Sequence, residues 1–250
     1  MADASYLATS LLGLTNTPFF VVEMFVYALL GGVLPSLLWM WFWMHESYKH
    51  DEPKGTISLA FIVGMCAVFL VYPFQKFIPA ILGLPSEHFL VLSSWAFIEE
   101  LFKLLAAFYV ALKFKDVFNE PIDAFIYLMT AALGFVAMEN TFYLLAPLLQ
   151  GDAMGSIMTG NLRFMGASLL HVVASGAISI CIAYGFYKHG FVKKVYWIAG
   201  LIIATILHTL FNYFIIITTQ ESTFLIFSFV WLTTILLILA LERVKTIKQF

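Results

Sequence analysis

The chain has 250 residues, of which 62% are hydrophobic and 11% charged, with a formal net charge of −2 and a mean hydropathy of +0.94. A soluble domain is nearer one-half apolar and roughly a quarter charged. The composition therefore leaves no room for a soluble domain and points to an integral membrane protein; the net charge carries no message about nucleic acid, and no nucleic-acid partner is expected. A chain of this length holds about seven or eight spans of roughly 20–28 residues with short loops.

Residues 1–17 lack a basic n-region and carry only one short apolar run, Leu7–Leu14. They do not read as a cleaved signal peptide and leave room for an extra short N-terminal helix. Seven apolar segments follow, at 18–44, 56–82, 88–112, 121–149, 162–188, 193–218 and 223–241. Continuous runs of this length predict transmembrane helices rather than barrel strands. The expected fold is thus an all-α polytopic membrane protein, one embedded domain over 1–250, with polar connectors such as HESYKHDEPKG and QGDAMGSIMTGN. Cys66 and Cys181 both fall within predicted helices, which argues against a disulfide framework.

Ten of the thirteen Lys and Arg residues lie in alternate connectors and the C-terminal tail: Lys49, Lys54, Lys113, Lys115, Lys188, Lys193, Lys194, Arg243, Lys245 and Lys248. The opposite side holds only Arg163. The positive-inside rule then predicts an outside N-terminus and a cytoplasmic C-terminus.

A charge near the bilayer centre costs about 2.5–3.5 kcal/mol on insertion scales. Segments three and four carry four: Glu99, Glu100, Lys103 and Glu139. Unpaired, they would cost on the order of 10–14 kcal/mol, so they must gather away from lipid. Glu99 and Lys103 are i,i+4 and Glu100 and Lys103 are i,i+3, so either carboxylate can reach the ammonium while the other points about 100° away. Segment four adds Glu139 within Phe135-Val136-Ala137-Met138-Glu139-Asn140. Segment five adds His171, and segment six adds His208 and Asn212, which share a face as i,i+4 donors suited to a developing oxyanion.

Helical rise puts Glu99 ~16 Å, Glu139 ~12 Å, His171 ~12 Å and His208 ~18 Å from the outer ends of their segments. Four helices thus place polar chemistry in one layer of the outer membrane half. Three Glu and one Lys leave two formal negative charges in excess. Like charges in a low dielectric cannot all ionise, so one Glu is expected to hold a proton or one His to be cationic.

Each residue also has a structural reading: helix glue for the Glu–Lys pair, a hydrogen-bonding core residue for Glu139, packing or interhelical bonds for His171, His208 and Asn212. Ser175, Gly176 and Ala177 read as a close-approach patch. Glu23 and Lys76 read as an outer-face pair, or Lys76 as a snorkelling residue. Asn119, Glu120 and Asp123 around Pro121 read as capping residues.

Three chemistries are compatible with the layer. The expected one is metal-independent, glutamate-type hydrolysis in which a carboxylate takes a proton from water. The second binds zinc through Glu99, Glu139, His171 and His208, although no His-Glu-x-x-His motif is present and Lys103 would repel a cation. The third is a proton-coupled carrier, which the absence of a duplicated half disfavours.

Taken together, Glu-Glu-x-x-Lys at 99–103, Phe-x-x-x-Glu-Asn at 135–140, the single His171 and His-x-x-x-Asn at 208–212 resemble the PrsW family of intramembrane proteases. That family lies within the wider CAAX-protease and bacteriocin-processing superfamily. Glu120-Pro121-Ile122-Asp123-Ala124 also looks like the family, and the resemblance spans roughly residues 90–215. It implies an endopeptidase of a prokaryotic cytoplasmic membrane that cuts a single-span protein near the outer face, an activity similar to site-1 cleavage of an anti-sigma factor. By resemblance Glu99 or Glu100 activates water, Lys103 holds the other carboxylate, and His208 and Asn212 stabilise the tetrahedral intermediate. Glu139 stands where CAAX proteases carry a histidine, with Phe135 and Asn140 beside it as support.

Overall fold

The computed structural model describes residues 18–46, 52–217 and 220–247. Residues 1–17, with the Leu7–Leu14 run, lie outside the described residues. Among the described residues the chain forms seven helices and no strand. They are α1 (Pro18–Glu46), α2 (Lys54–Leu82), α3 (Phe89–Ala107, continued by a π turn at Phe108–Leu112), α4 (Asp123–Leu149), α5 (Ala153–Tyr184), α6 (Gly190–Ile217) and α7 (Gln220–Val244). Six of these, all but α3, are long and apolar enough to cross a membrane. In hydrocarbon every backbone polar group needs an internal partner, which is why such apolar runs become helices.

The connector at 150–161 is mostly helix rather than loop. Asp152 caps it by accepting from the Gly155 N–H at 2.8 Å, and α5 starts at Ala153. A π turn at Arg163–Ala167 then interrupts α5, with the Ser168 N–H reaching back to the Arg163 carbonyl. Such a turn inserts one residue into the helix and rotates everything beyond it.

α4 is the central element, buried continuously from Asp123 to Met138. It packs against α1, α2 and α5, while α3 packs against α2 and α6, and α6 against α5. Helices α4, α2, α3, α6 and α5 therefore close a ring, with α1 outside α4 and α7 outside α5. The α2–α4 crossing is set by two glycines. A Cβ on Gly64 would lie 2.0 Å from the Ala131 carbonyl oxygen, and one on Gly134 would lie 2.0 Å from that of Phe61. Small residues at such a crossing let two backbones meet, the common device where lipid supplies no hydrophobic drive. Gly166 and Gly176 likewise admit Phe227 and Leu237 of α7.

Cys66 and Cys181 are both free. Glu23 accepts from the Tyr27 hydroxyl at 3.0 Å, and the exposed Lys76 makes no ion pair with it among the described residues. Asp123 accepts from the Asn119 and Glu120 N–H groups at 2.8 and 2.6 Å, so it caps the start of α4.

Candidate active site

Helices α3 to α6 bring six of the singled-out side chains together inside the ring. Lys103, fully buried, donates from Nζ to Glu100 Oε1 at 2.7 Å and to His171 Nδ1 at 2.6 Å. The ammonium also lies 4.7 Å from the Phe135 ring centroid, and that ring packs beside His171. An ammonium has no lone pair, so His171 Nδ1 is the acceptor and Nε2 carries the imidazole proton. His171 Nε2 donates it to Glu139 Oε2 at 3.1 Å.

His208 is arranged in the same way from the other side. Its Nδ1 lies 2.9 Å from Glu100 Oε1, and its ring meets His171 edge to face at 4.8 Å. Glu100 Oε2 accepts from the Ser175 hydroxyl at 2.9 Å, so both Glu100 oxygens are engaged. Glu99 differs. Its Oε1 accepts from Gln75 at 2.7 Å, while Oε2 is buried and accepts no hydrogen bond among the described residues. That oxygen lies 3.6 Å from His208 Nε2, 3.8 Å from the Lys103 ammonium and 3.9 Å from His171 Nδ1. A buried acceptor without a hydrogen-bond donor is costly.

Glu139 and Asn140 sit at the rim of this cluster. Arg163 donates to Glu139 Oε2 and, at 2.5 Å, to Asn140 Oδ1, and its guanidinium stacks over Tyr143. Asn140 Nδ2 donates onward to Ser168 at 3.2 Å. Among the described residues Glu139 Oε1 accepts no bond, and this carboxylate is the most exposed acid of the group at 17%. Asn212 stands one turn beyond His208, half-buried, without a hydrogen bond to the cluster among the described residues.

Three contributors were not foreseen: Gln75, Arg163 and Ser175. Arg163 precedes His171 by eight residues, about 80° away on a regular helix, but the residue absorbed by the π turn leaves them within about 20°. Nothing local in the sequence announces that turn. Ser175 belongs to the small-residue patch, of which Gly176 does the packing and Ser175 the hydrogen bonding. Gln75 is an uncharged polar residue beside Lys76 in a largely apolar segment, a signal easily passed over.

The donor chemistry fits a metal ion. Glu99, His171 and His208 each offer one ligand atom, all within 4.8 Å of one another. Two imidazoles and a carboxylate form a common catalytic zinc set. Each imidazole also has its other nitrogen on a carboxylate, Glu139 or Glu100, the outer-shell arrangement that orients ligating histidines.

Carboxylates and imidazoles gathered inside a helical membrane bundle mark the class of membrane proteins with a buried, ionisable functional centre. Residues 52–240 match the family model described as PrsW family intramembrane metalloprotease, and the chain belongs to that family of intramembrane proteases. Protease PrsW of Geobacillus kaustophilus (strain HTA426) is 27% identical over 193 residues, covering 74% of this chain and 78% of that protein. Protease PrsW of Halalkalibacterium halodurans is 22% identical over 229 residues, covering 88% and 97%. No solved structure matches. The protein is therefore a protease and an integral protein of a bacterial cell membrane, which sets the carrier reading aside.

Proposed function

We propose that this protein is a metal-dependent intramembrane endopeptidase that cleaves a single-span membrane protein near the extracytoplasmic face. The observation carrying this reading is Glu99 Oε2, buried without a hydrogen-bond donor among the described residues, 3.8 Å from Lys103 Nζ and opposite two imidazoles whose far nitrogens are held by carboxylates. Glu99, His171 and His208 would hold the metal, with Glu139 and Glu100 orienting the histidines. Held there, a divalent metal would supply Lewis acidity toward the scissile carbonyl and the attacking water. Glu139, whose Oε1 accepts no bond among the described residues and lies at the rim, takes the proton from the attacking water and hands it to the leaving amine. Asn212, on the His208 face of α6, donates to the developing oxyanion. In this reading α3 crosses the membrane in addition to the six apolar helices, and with the N-terminus outside the cluster lies in the outer membrane half. Its charges are tolerated because they face the ring interior. On this reading the substrate is a membrane-anchored anti-sigma factor and the reaction its site-1 cleavage.

One observation favours the metal-independent, glutamate-type alternative. Lys103 Nζ, at 2.6 Å from His171 Nδ1, competes with any cation for that nitrogen. In that form Glu99 Oε2 is the base. Elemental analysis of active, detergent-purified protein separates the two. Stoichiometric zinc that leaves together with activity on chelation supports the metal reading; undiminished cleavage by metal-free protein overturns it. Cleavage by both Glu99→Gln and Glu100→Gln at the parental rate would overturn either reading.

A further inference from the structure

Gln75 belongs to α2, outside the stretch that carries the family motifs, yet its amide nitrogen donates to Glu99 Oε1 at 2.7 Å. With one carboxylate oxygen tied back to α2, the other is turned toward His208 and His171. The final torsion of a Glu side chain is broad and soft, so a carboxylate without such a tether has no fixed heading. The grip on Gln75 has its own cause. Four residues on, Pro79 has no N–H, so the Gln75 carbonyl loses its partner within α2. The indole N–H of Trp95 on α3 fills that vacancy, donating to the Gln75 carbonyl at 3.0 Å. Trp95 stands one turn before Glu99 on the same face of α3. The two helices therefore clamp each other. Through Trp95, α3 holds the backbone of α2; through Gln75, α2 holds the carboxylate of α3.

We infer that Gln75 is a positioning residue that aims Glu99 Oε2 at the paired imidazoles, and that Trp95 and Pro79 fix Gln75 for that task. The inference rests on Glu99 being a working group of the site, as proposed above.

The test uses the full-length protein in detergent, freed of metal and titrated with Zn²⁺ against a chromophoric chelator. Gln75→Leu weakens Zn²⁺ binding about 10–100-fold, the usual effect of losing an outer-shell partner. Trp95→Phe, which keeps the ring and removes only the N–H, weakens it by less than about tenfold. A second readout needs no metal. The Glu99 carboxylate stretch, isolated as the infrared difference between the parent and Glu99→Gln, shifts when Gln75→Leu removes its donor. Parental Zn²⁺ affinity in Gln75→Leu, or an unmoved carboxylate band, overturns the inference. Failure of the parent protein itself to bind Zn²⁺ overturns the metal reading instead, and the band then decides the role of Gln75. If Gln75→Leu does not fold, Trp95→Phe carries both readouts.

Discussion

Replacing Lys103 with Met tests how the buried charges are balanced. Met keeps most of the stem packed against Phe135 but removes the ammonium that lies 2.7 Å from Glu100 and 2.6 Å from His171. Both Lys103 and Glu100 are fully buried. Deleting one partner of a buried ion pair costs about 3–5 kcal/mol, because the remaining charge stays desolvated. Glu100 retains donors in Ser175 and His208, each at 2.9 Å, which places the cost at the low end. The expected loss is about 3 kcal/mol, a fall of roughly 150-fold in the folded-to-unfolded ratio. Adding Glu100→Gln removes the stranded charge and is expected to restore about half of that. Unfolding metal-free protein in mixtures of dodecyl maltoside and SDS, followed by circular dichroism, measures both variants. Parental stability in Lys103→Met, or a double variant weaker than the single one, would refute the view that Lys103 neutralises Glu100.

Arg163→Met is expected to lower the cleavage rate of a co-reconstituted single-span substrate by about tenfold or more, because Glu139 loses the fork that orients it. Arg163→Lys should not restore the rate, since a point ammonium cannot serve Glu139 and Asn140 together; a parental rate in that variant would contradict the assignment. Gly134→Ala forces α2 away from α4 and is expected to cost up to about 3 kcal/mol in the same unfolding assay, with activity falling as Gln75 is displaced. Parental stability there would mean the crossing is looser than the 2.0 Å clearance implies. Asn212→Ala should leave folding and metal content unchanged while reducing the maximal cleavage rate, and unchanged turnover would remove Asn212 from the mechanism.

Much of this protein was legible in one dimension because the membrane imposes strong, local rules. Long apolar runs leave the backbone no choice but helix, and the cost of burying charge singles out Glu99, Glu100, Lys103, Glu139, His171 and His208 without reference to any fold. Helical rise places them at one depth, and the i,i+3 and i,i+4 spacings leave either Glu100 or Glu99 to meet Lys103; the structure puts Glu100 at 2.7 Å and Glu99 at 3.8 Å from its ammonium. What rise and periodicity cannot supply is rotation about each helix axis and the identity of neighbours across the ring. The π turn in α5 re-aims Arg163, the glycine crossing at Gly64 and Gly134 draws α2 against α4, and Pro79 exposes a carbonyl for Trp95. These are contacts between segments far apart in the chain, fixed by packing. They decide that Glu100 is fully engaged, that Glu99 keeps one oxygen free toward the two imidazoles, and that Asn212 stands one turn away. Residue type and spacing thus determined which groups must shelter together, because their transfer energies are intrinsic. Only the tertiary structure decided which atom of each faces which partner, because that depends on how seven helices turn against one another.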